Sequence, residues 1–521
     1  MLQFRLTESE RTRREVLMRN SKSAVQESQR AIVDAIESGA AGNEGPLRRV
    51  DTHMSHVFLG RDHVYKLKRS VRHPFGDMSS VEARRVACEA ELEVNRQLAP
   101  DLYRRVLPIT RDVRGDLRIG GQGQTEDWVV EMRRFPDGAL FSELADEGAL
   151  TPDLIAEATE TIARFHASLA PLGRTGHAVD YRRIVEGLRQ TEAEGAAALG
   201  VAPASQPLFE ALERTISRLS PVLEARRESG SVRRGHGDLH LRNICVFEGR
   251  VTPFDALEFD PALSSADVLY DLAFLLMDLR ARGLRGLANV AMNTYWDATG
   301  EAEAALSLLP LFMALRAAVR MAVATEAGNL VEADSYRALG RNLLAPSSPR
   351  LLAIGGLSGS GKSTLARAVA HELPGCCGAR VLRTDVIRKR LAGATPHDRL
   401  AEDSYRFAAR ASVYDALASL AREALGAGIS VVADATFSDA SFRARIEIAS
   451  HGHEFQGLWL SAPPEVRAAR VAQREGDASD ATVEVALNQV EPRSLGAWIN
   501  LDCDRPLPAL VDDVRRRLMP R

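Results

Sequence analysis

Three groups of residues in this chain have the types and spacing to handle phosphate. The first is Gly356-Leu357-Ser358-Gly359-Ser360-Gly361-Lys362-Ser363-Thr364. Glycines let a backbone fold around an anion with its N–H groups turned inward. A lysine at the end of such a turn reaches the β- and γ-phosphates of a nucleoside triphosphate, and the next hydroxyl can sit on Mg2+. Gly356, Ser358, Gly359, Ser360, Gly361, Lys362, Ser363 and Thr364 are therefore the expected nucleotide contacts, with Ser363 also a metal ligand.

The second group is Gly235-His236-Gly237-Asp238-Leu239-His240-Leu241-Arg242-Asn243, followed by two short apolar runs around Glu248-Gly249-Arg250 and ending at Asp255. The runs read as a hairpin, which returns its end to its start. Asn243 and Asp255 are thus expected side by side, an amide oxygen and a carboxylate suited to Mg2+ beside a triphosphate. Asp238, on the same loop, is placed to accept a proton from a substrate hydroxyl.

The third group follows the phosphate loop. Arg383-Thr384-Asp385-Val386-Ile387-Arg388 closes one apolar strand, and Ser430-Val431-Val432-Ala433-Asp434 is another ending in an acid. Open parallel sheets bind ligands at the carboxyl ends of their strands, so Asp385 is expected to face the γ-phosphate side, with Arg388 one helical turn on. A helix N-cap is the alternative reading of Asp385. Arg467, Arg470 and Arg474 recur at three- and four-residue spacing and precede the polar run Gly476–Ala481. Together they read as a lid that closes arginines over the phosphoryl group, with Arg470 and Arg474 its functional candidates.

These groups need elements to hold them. Leu351–Ile354 is an apolar strand before the phosphate loop, and Thr364–Ala370 a helix after it. Strands at Val381–Thr384, Ser430–Ala433 and Leu458–Ser461 alternate with helical segments, the pattern of a parallel sheet with right-handed crossovers. In the first half, His56–Leu59 and His63–Lys68 flank a Gly60-Arg61-Asp62 turn. A helix follows over Ser80–Leu98, then strands at Val106–Thr110, Leu117–Ile119 and Trp128–Met132. From Leu150 to Leu344 the period is mainly helical, broken at 235–260. Pro346-Ser347-Ser348-Pro349 cannot continue a helix and reads as a linker. The expected organisation is a peripheral helical lead-in over 1–45, a first domain over 46–345 and a second over 350–521.

A chain of 521 residues exceeds one hydrophobic core. Its 45% hydrophobic and 26% charged content is that of a globular protein, and a net charge of −3 gives no general pull toward nucleic acid or anionic membranes. The most apolar helix, around Leu269–Leu279, is interrupted by Asp271 and Asp278, so no membrane span is expected. Five cysteines without metal spacing fit a reducing compartment. Arg5 to Arg19 has no apolar core of a secretory signal, and the expected location is cytoplasmic.

The stretch His236–Asn243 with Asp255 resembles the aminoglycoside phosphotransferase and choline kinase branch of the protein-kinase-like fold. That resemblance implies that Lys66 holds the α- and β-phosphates, with Lys68 on the same strand face as the competing candidate. It implies Glu91 as the lysine's ion-pair partner, Glu89 being second, and puts the inter-lobe hinge at Trp128–Arg134. Asp271 then corresponds to a structural aspartate. The turn near Thr52–His56 departs from protein kinases in lacking glycine. The phosphate loop, Asp385/Arg388 and Asp434-Ala435-Thr436-Phe437 together resemble the polynucleotide-kinase, zeta-toxin and adenylate-kinase-like group of P-loop kinases. In that group the aspartate activates the acceptor hydroxyl and the arginine holds the acceptor. The same resemblance implies that Asp434 holds Mg2+ through water and Thr436 lines the acceptor site.

The fold class expected is an α+β protein-kinase-like bilobal domain followed by an α/β P-loop domain with a parallel sheet, as in bacterial fusions of the two. The function expected is a bifunctional phosphotransferase using Mg2+ and ATP, or another nucleoside triphosphate, on a hydroxyl-bearing small molecule. Two alternatives stand beside it: a polynucleotide 5′-hydroxyl kinase at the second site, or a first domain that only senses nucleotide and regulates the second.

Overall fold

The computed structural model describes residues 29–42, 45–52, 54–73, 76–173, 175–258, 265–394, 398, 400, 406–473, 479 and 482–518. The chain divides into two compact units. One takes the described residues up to Leu150 with Ser168–Ala170 and Arg233–Ala266. The other takes Thr151–Ala167, Pro171–Val232 and Asp267 onward.

The first unit is built on an antiparallel sheet of β1 (Arg48–Asp51), β2 (Ser55–Leu59), β3 (His63–Lys68), β4 (Tyr103–Arg111), β5 (Leu117–Ile119) and β6 (Gln124–Arg133), in the order β1-β2-β3-β6-β4-β5. Side chains alternate along a strand, so β3 presents Tyr65 and Leu67 to one face and Val64, Lys66 and Lys68 to the other. On the latter face lies helix α1 (Val81–Asn95), opened by Ser80, whose Oγ accepts from Ala83 N at 3.1 Å. Its buried Ala87, Cys88, Glu91, Val94 and Asn95 fall on one helical stripe. The hairpin β7 (Ile244–Phe247) and β8 (Arg250–Pro253) pairs in register Ile244 to Pro253, and Cys245 and Phe247 join the core under α1.

The opposite face of the sheet corrects the expected peripheral lead-in. Residues 1–28 lie outside the described residues, but 29–37 form a helix whose Ile32, Val33 and Ile36 pack on Phe58, Leu67, Ile109 and Val129. Gln29 Nε2 donates to Lys68 O at 2.8 Å and to Asp127 Oδ2 at 3.2 Å. The apolar stripe was there to be read, but the charged residues around it dominated the composition.

In the second unit, the apolar helix α2 (Val268–Ala281) is buried along nearly its whole length. It is followed by α3 (Arg285–Thr299) and α4 (Leu309–Glu326). Residues Glu303–Glu326 are long and apolar enough to cross a membrane by length and composition, with a mean hydropathy of 1.7, which the sequence reading passed over. They are 72% buried within the protein, as a core helix is. Asp271 is held by His166 Nε2 at 3.1 Å, and His166 Nδ1 meets the Tyr295 hydroxyl at 2.9 Å, a buried structural tie.

The same unit carries a parallel five-stranded sheet of β9 (Arg350–Gly356), β10 (Arg380–Arg383), β11 (Val431–Asp434), β12 (Glu454–Ser461) and β13 (Ile499–Asp502), ordered β10-β11-β9-β12-β13. Strand order reverses on either side of β9, which makes its carboxyl end the switch point where ligands bind. The edge strand β10 does not face water alone. Asn293 of α3 accepts from Val381 N at 2.7 Å, and Asn289 donates to Cys377 O at 2.8 Å and Ala379 O at 2.9 Å. Arg380, only 2% exposed, reaches Asp297 at 2.7 Å and Glu303 at 3.2 Å. Side-chain amides and a buried ion cluster thus occupy an edge that would otherwise be open to pairing.

Candidate active sites

In the first unit, the alternation along β3 and the stripe on α1 bring charged groups together inside an apolar layer. Lys66 Nζ lies 2.7 Å from Glu91 Oε1 and also contacts Asp255. Lys68 Nζ lies 2.5 Å from Glu91 Oε2 and contacts Glu258. Both lysines therefore share Glu91 and differ in their second partner: Lys66 reaches Asp255, and Lys68 reaches Glu258. Glu89, the second candidate, stands on the surface with Arg85 at 2.6 Å. The lysines' charges follow from this packing. Burial opposes the ammonium at Lys66, but Asp255 and Glu91 outweigh it and hold its pKa well above the ordinary value. At Glu91 burial would raise the carboxyl, but Lys66 and Lys68 bring it down to about 2. At Glu258 burial wins over Lys68 and pushes the carboxyl up to about 7.

Asp255 has φ of 63°, a left-handed backbone held by its neighbours. Asn95 accepts from Ala256 N at 2.8 Å, tying the end of α1 to this loop. The loop before the hairpin is equally fixed. His236 Nε2 meets Phe254 O at 2.9 Å while its Nδ1 accepts from Asp238 N at 3.3 Å, which sets the ring with its proton on Nε2. Phe254 N donates to Asn243 O at 2.9 Å, so Asn243 and Asp255 do come side by side. Asn243 Nδ2 donates to Asp238 Oδ2 at 3.0 Å and Asp238 O at 2.9 Å. Asn95, Tyr103, whose hydroxyl accepts from Asp255 N at 3.3 Å, and Glu258 carried no expectation from the sequence. Only Glu258, an acid three residues past Asp255, left a signal.

The Glu258 shift has a testable consequence. Its carboxyl titrates near 7 in the fold and at the ordinary 4.5 when exposed, so between those values the folded state holds a proton that the unfolded state has lost. Stability around β3 is then fully present below pH 4.5 and falls as pH rises toward about 7. Amide exchange protection in β3 of the full chain is expected to decline across that window, and Glu258→Gln to flatten the decline. An unchanged pH profile in the variant would refute the assignment.

In the second unit the phosphate loop joins β9 to α5 (Lys362–Ala370). Two glycines there are required by geometry: Gly359 has φ of 82° and a Cβ would stand 2.3 Å from Arg467 O, and Gly361 caps the helix at φ 88°. Lys362 Nζ donates to Leu357 O at 3.0 Å. Ser363 Oγ lies 2.5 Å from Asp434 Oδ2 at the end of β11, and Arg383 Nη2 donates to Ser363 Oγ at 3.3 Å. A cavity of about 740 Å³ opens here, lined by Ser358, Gly359, Gly361, Lys362, Ser363, Thr364, Asp385, Arg388, Asp434, Thr436 and Arg470 among others. Gly356 and Ser360 do not line it; Ser360 is buried and Gly356 N donates to Thr436 O at 3.2 Å, so both shape the loop from behind.

Helix α6 (Thr384–Leu391) starts two residues earlier than an N-cap at Asp385 would place it. Arg383 holds the N-cap position, so the N-cap reading of Asp385 does not apply. Burial and then the neighbouring Asp434 raise the Asp385 carboxyl above the ordinary aspartate range. Helix α7 (Phe407–Gly426) adds two residues that sequence reading missed, Arg410 and Tyr414. Tyr414 OH meets Thr436 Oγ1 at 3.0 Å and accepts from Phe437 N at 3.0 Å, anchoring a turn in which Phe437 has φ of 46°.

The arginine stripe is corrected in part. On α8 (Pro464–Ala472), Arg467 is buried and its Nη1 donates to Ala486 O at 2.7 Å, so it is a packing residue. Arg470 lines the cavity and donates to Cys503 O at 2.9 Å. Arg474 and most of the run 476–481 lie outside the described residues.

Mg2+ takes hard oxygen ligands, and the donors present fit it at both sites. Asn243 commits its amide nitrogen to Asp238, which leaves Oδ1 for a cation beside the Asp255 carboxylate. Ser363 and Asp434 supply a hydroxyl and a carboxylate in contact. Among the described residues no three His, Cys, Asp or Glu side chains cluster as a metal cage, so phosphate oxygens and water would complete the shell.

The folds are a protein-kinase-like phosphotransferase fold and a five-stranded parallel P-loop domain, and comparison with known proteins agrees. The Phosphotransferase enzyme family matches residues 78–306 and the AAA domain matches 351–493. Uncharacterized protein Rv2004c of Mycobacterium tuberculosis is 31% identical over 457 residues, 84% of this chain and 88% of its own. This chain belongs to the family of that protein, in which a phosphotransferase domain precedes a P-loop domain. Among solved structures it is similar to a gluconokinase from Sinorhizobium meliloti, 24% identical with a TM-score of 0.24 over 33% of this chain and 91% of that one. It is also similar to a choline/ethanolamine kinase family protein from Mesorhizobium loti, 16% identical with a TM-score of 0.36 over 60% of this chain and 94% of that one. Both are too distant to carry a substrate across.

Proposed function

We propose that the chain is a bifunctional ATP-dependent phosphotransferase whose two sites each move a γ-phosphoryl group to a hydroxyl. The boundaries proposed are 46–345 and 350–521, and the second domain is read as a P-loop kinase of the polynucleotide-kinase and zeta-toxin-like group acting on a small molecule. The observation that carries this reading is one cavity holding Lys362, Ser363 and Asp434 together with the raised carboxyl of Asp385. A group poised above the ordinary carboxylate range accepts a proton more readily.

At this site the acceptor hydroxyl oxygen attacks the γ-phosphorus and forms a new O–P bond. The bond from that phosphorus to the β–γ bridging oxygen breaks, ADP leaves, and the hydroxyl proton passes to the Asp385 carboxylate. Lys362 and Arg470 offset the charge on the phosphoryl oxygens. Ser363 and Asp434 would hold Mg2+, which would supply neutralisation of phosphate charge. At the first site Asp238 is the proton acceptor, oriented by the Asn243 amide. Lys66, braced by Glu91, holds phosphate, and Asn243 with Asp255 would hold the metal.

The test is transfer from γ-labelled ATP by the full chain, offered sugars, nucleosides, aminoglycosides and 5′-hydroxyl oligonucleotides. Asp238→Asn and Asp385→Asn are each expected to slow their own transfer by about 10²–10⁴ and spare the other. If Asp238→Asn leaves every transfer intact, the first site is not a catalyst. Preferred labelling of oligonucleotides would replace the small-molecule reading.

A further inference from the structure

One peptide of the phosphate loop is held from both edges. Leu357 O accepts from Lys362 Nζ at 3.0 Å, and the N–H of the same peptide, on Ser358, donates to Gln489 Oε1 at 2.7 Å. A trans peptide points its carbonyl and its N–H in opposite directions, so the ammonium and the carboxamide stand at either edge of one plane. Gln489 also lines the cavity, together with Lys362 and Asp385.

This placement is built by several contacts. Gln489 is the residue at which helix α9 (Val483–Asn488) ends: its N–H still closes the last turn on Val485 O at 3.2 Å, and its backbone then becomes extended. The helix is opened by Thr482, whose Oγ1 accepts from Val485 N at 3.3 Å. Arg467 ties helix to loop, since its Nη1 donates to Ala486 O at 2.7 Å while its own carbonyl is what a Cβ on Gly359 would strike. Just past Gln489, Glu491 takes the Trp459 indole N–H at 2.7 Å. A half-buried side chain between two such anchors has little freedom left to lose on meeting a ligand.

The sense of the carboxamide is fixed by chemistry. A backbone N–H can only donate, so the atom facing Ser358 N is the oxygen, and the Nε2 donors are what Gln489 offers a ligand. Which part of the ligand they meet follows from position. Backbone N–H groups at the start of α5 cradle the inner phosphates, and the lysine ammonium extends to the β- and γ-phosphates. Lys362 Nζ rests on Leu357 O, so the Leu357–Ser358 peptide marks the outer end of the loop.

We infer that Gln489 is a further phosphate-binding residue of the second site, its Nε2 donating to the terminal phosphate of the nucleoside triphosphate while its Oε1 keeps the Ser358 N–H. This rests on reading the cavity as the phosphoryl-transfer site. It gives that site a contact that a diphosphate does not make.

The test is calorimetric titration of the full chain, with Mg2+, by a non-hydrolysable ATP analogue and by ADP. On the proposed reading the first site binds nucleotide as well, so the second-site part is the binding that Lys362→Ala removes. Gln489→Met keeps the reach of the side chain and loses the amide. It is expected to weaken that part about tenfold more for the analogue than for ADP. Gln489→Glu keeps an oxygen for Ser358 N but sets a carboxylate against the phosphate, and is expected to weaken the analogue further than Gln489→Met does. Equal weakening of analogue and ADP, relieved in Gln489→Glu, would show that Gln489 only shapes the loop and would overturn the inference. Tighter binding in Gln489→Met, the behaviour of a side chain that blocks the loop, would overturn it as well. Unchanged affinity in both variants would do the same while leaving the nucleotide site standing. If Lys362→Ala removes no binding at all, the nucleotide site falls and the inference falls with it.

Discussion

Lys362→Ala is expected to lower kcat/KM of the Asp385-dependent transfer by about 10²–10³ while leaving the Asp238-dependent transfer unchanged. The reason lies in where the ammonium stands. Lys362 opens α5, at the helix end where backbone N–H groups and the dipole already favour an anion. In this state its Nζ donates to Leu357 O at 3.0 Å, within the loop itself, a bond it would exchange for phosphate oxygens. Its removal deletes charge stabilisation that grows as the phosphoryl group moves, which is why kcat should fall along with kcat/KM. The fold should survive, because the core beneath Lys362 is made by Leu352, Ile354, Leu365 and Val369. Steady-state kinetics on the full chain, with circular dichroism as the control, checks this. Undiminished Asp385-dependent turnover would show that the loop is not the phosphate site.

Arg380→Ala is expected to be the most damaging single change to stability, by about 3–5 kcal/mol. Arg380 meets both Asp297 at 2.7 Å and Glu303 at 3.2 Å, and it also donates to Asn293 Oδ1 at 3.0 Å. Truncation leaves Glu303, which is fully buried, without its partner. Burial already raises that carboxyl, with Arg380 pulling the other way, so the orphaned group would have to take up a proton. Amide exchange across β10 and α6 reads the effect locally, which matters because a chain of several domains does not unfold in one step. Glu303→Gln in the Arg380→Ala background should recover part of the loss, since it removes the stranded charge. A double-mutant cycle with no coupling between the two positions would show that the cluster carries no stability.

Both candidate loops were legible in the sequence because their physics is local. A phosphate loop needs glycine where φ is positive and a hydroxyl directly after the lysine, and Gly359, Gly361, Lys362 and Ser363 meet those needs within five residues. The pairing of Asn243 with Asp255 was legible for the same reason, since a tight hairpin lets few registers form. The doubly flanked parallel sheet followed from alternating strand and helix patterns, and β9 could be placed at its switch point once the strand order was known.

Other features depended on contacts that spacing does not encode. Lys66 and Lys68 share one strand face, and nothing along the chain distinguishes them; only the approach of Asp255 to one and Glu258 to the other does. The helix over 29–37 reads as a charged lead-in until the sheet supplies a face for Ile32, Val33 and Ile36. Arg410 and Arg467 are each one arginine on a helix, yet tertiary packing sends one to the cavity wall and the other onto the Ala486 carbonyl. Nor does anything in the run Ala379-Arg380-Val381 announce that Asn289, Asn293, Asp297 and Glu303, some eighty to ninety residues earlier, cover it. The residues themselves determined what chemistry this chain can do, because backbone conformation and side-chain type act over a few positions. Which charges meet, and so which pKa values move, was decided by burial between distant segments, whose electrostatic effect depends on distance in space and on the exclusion of water.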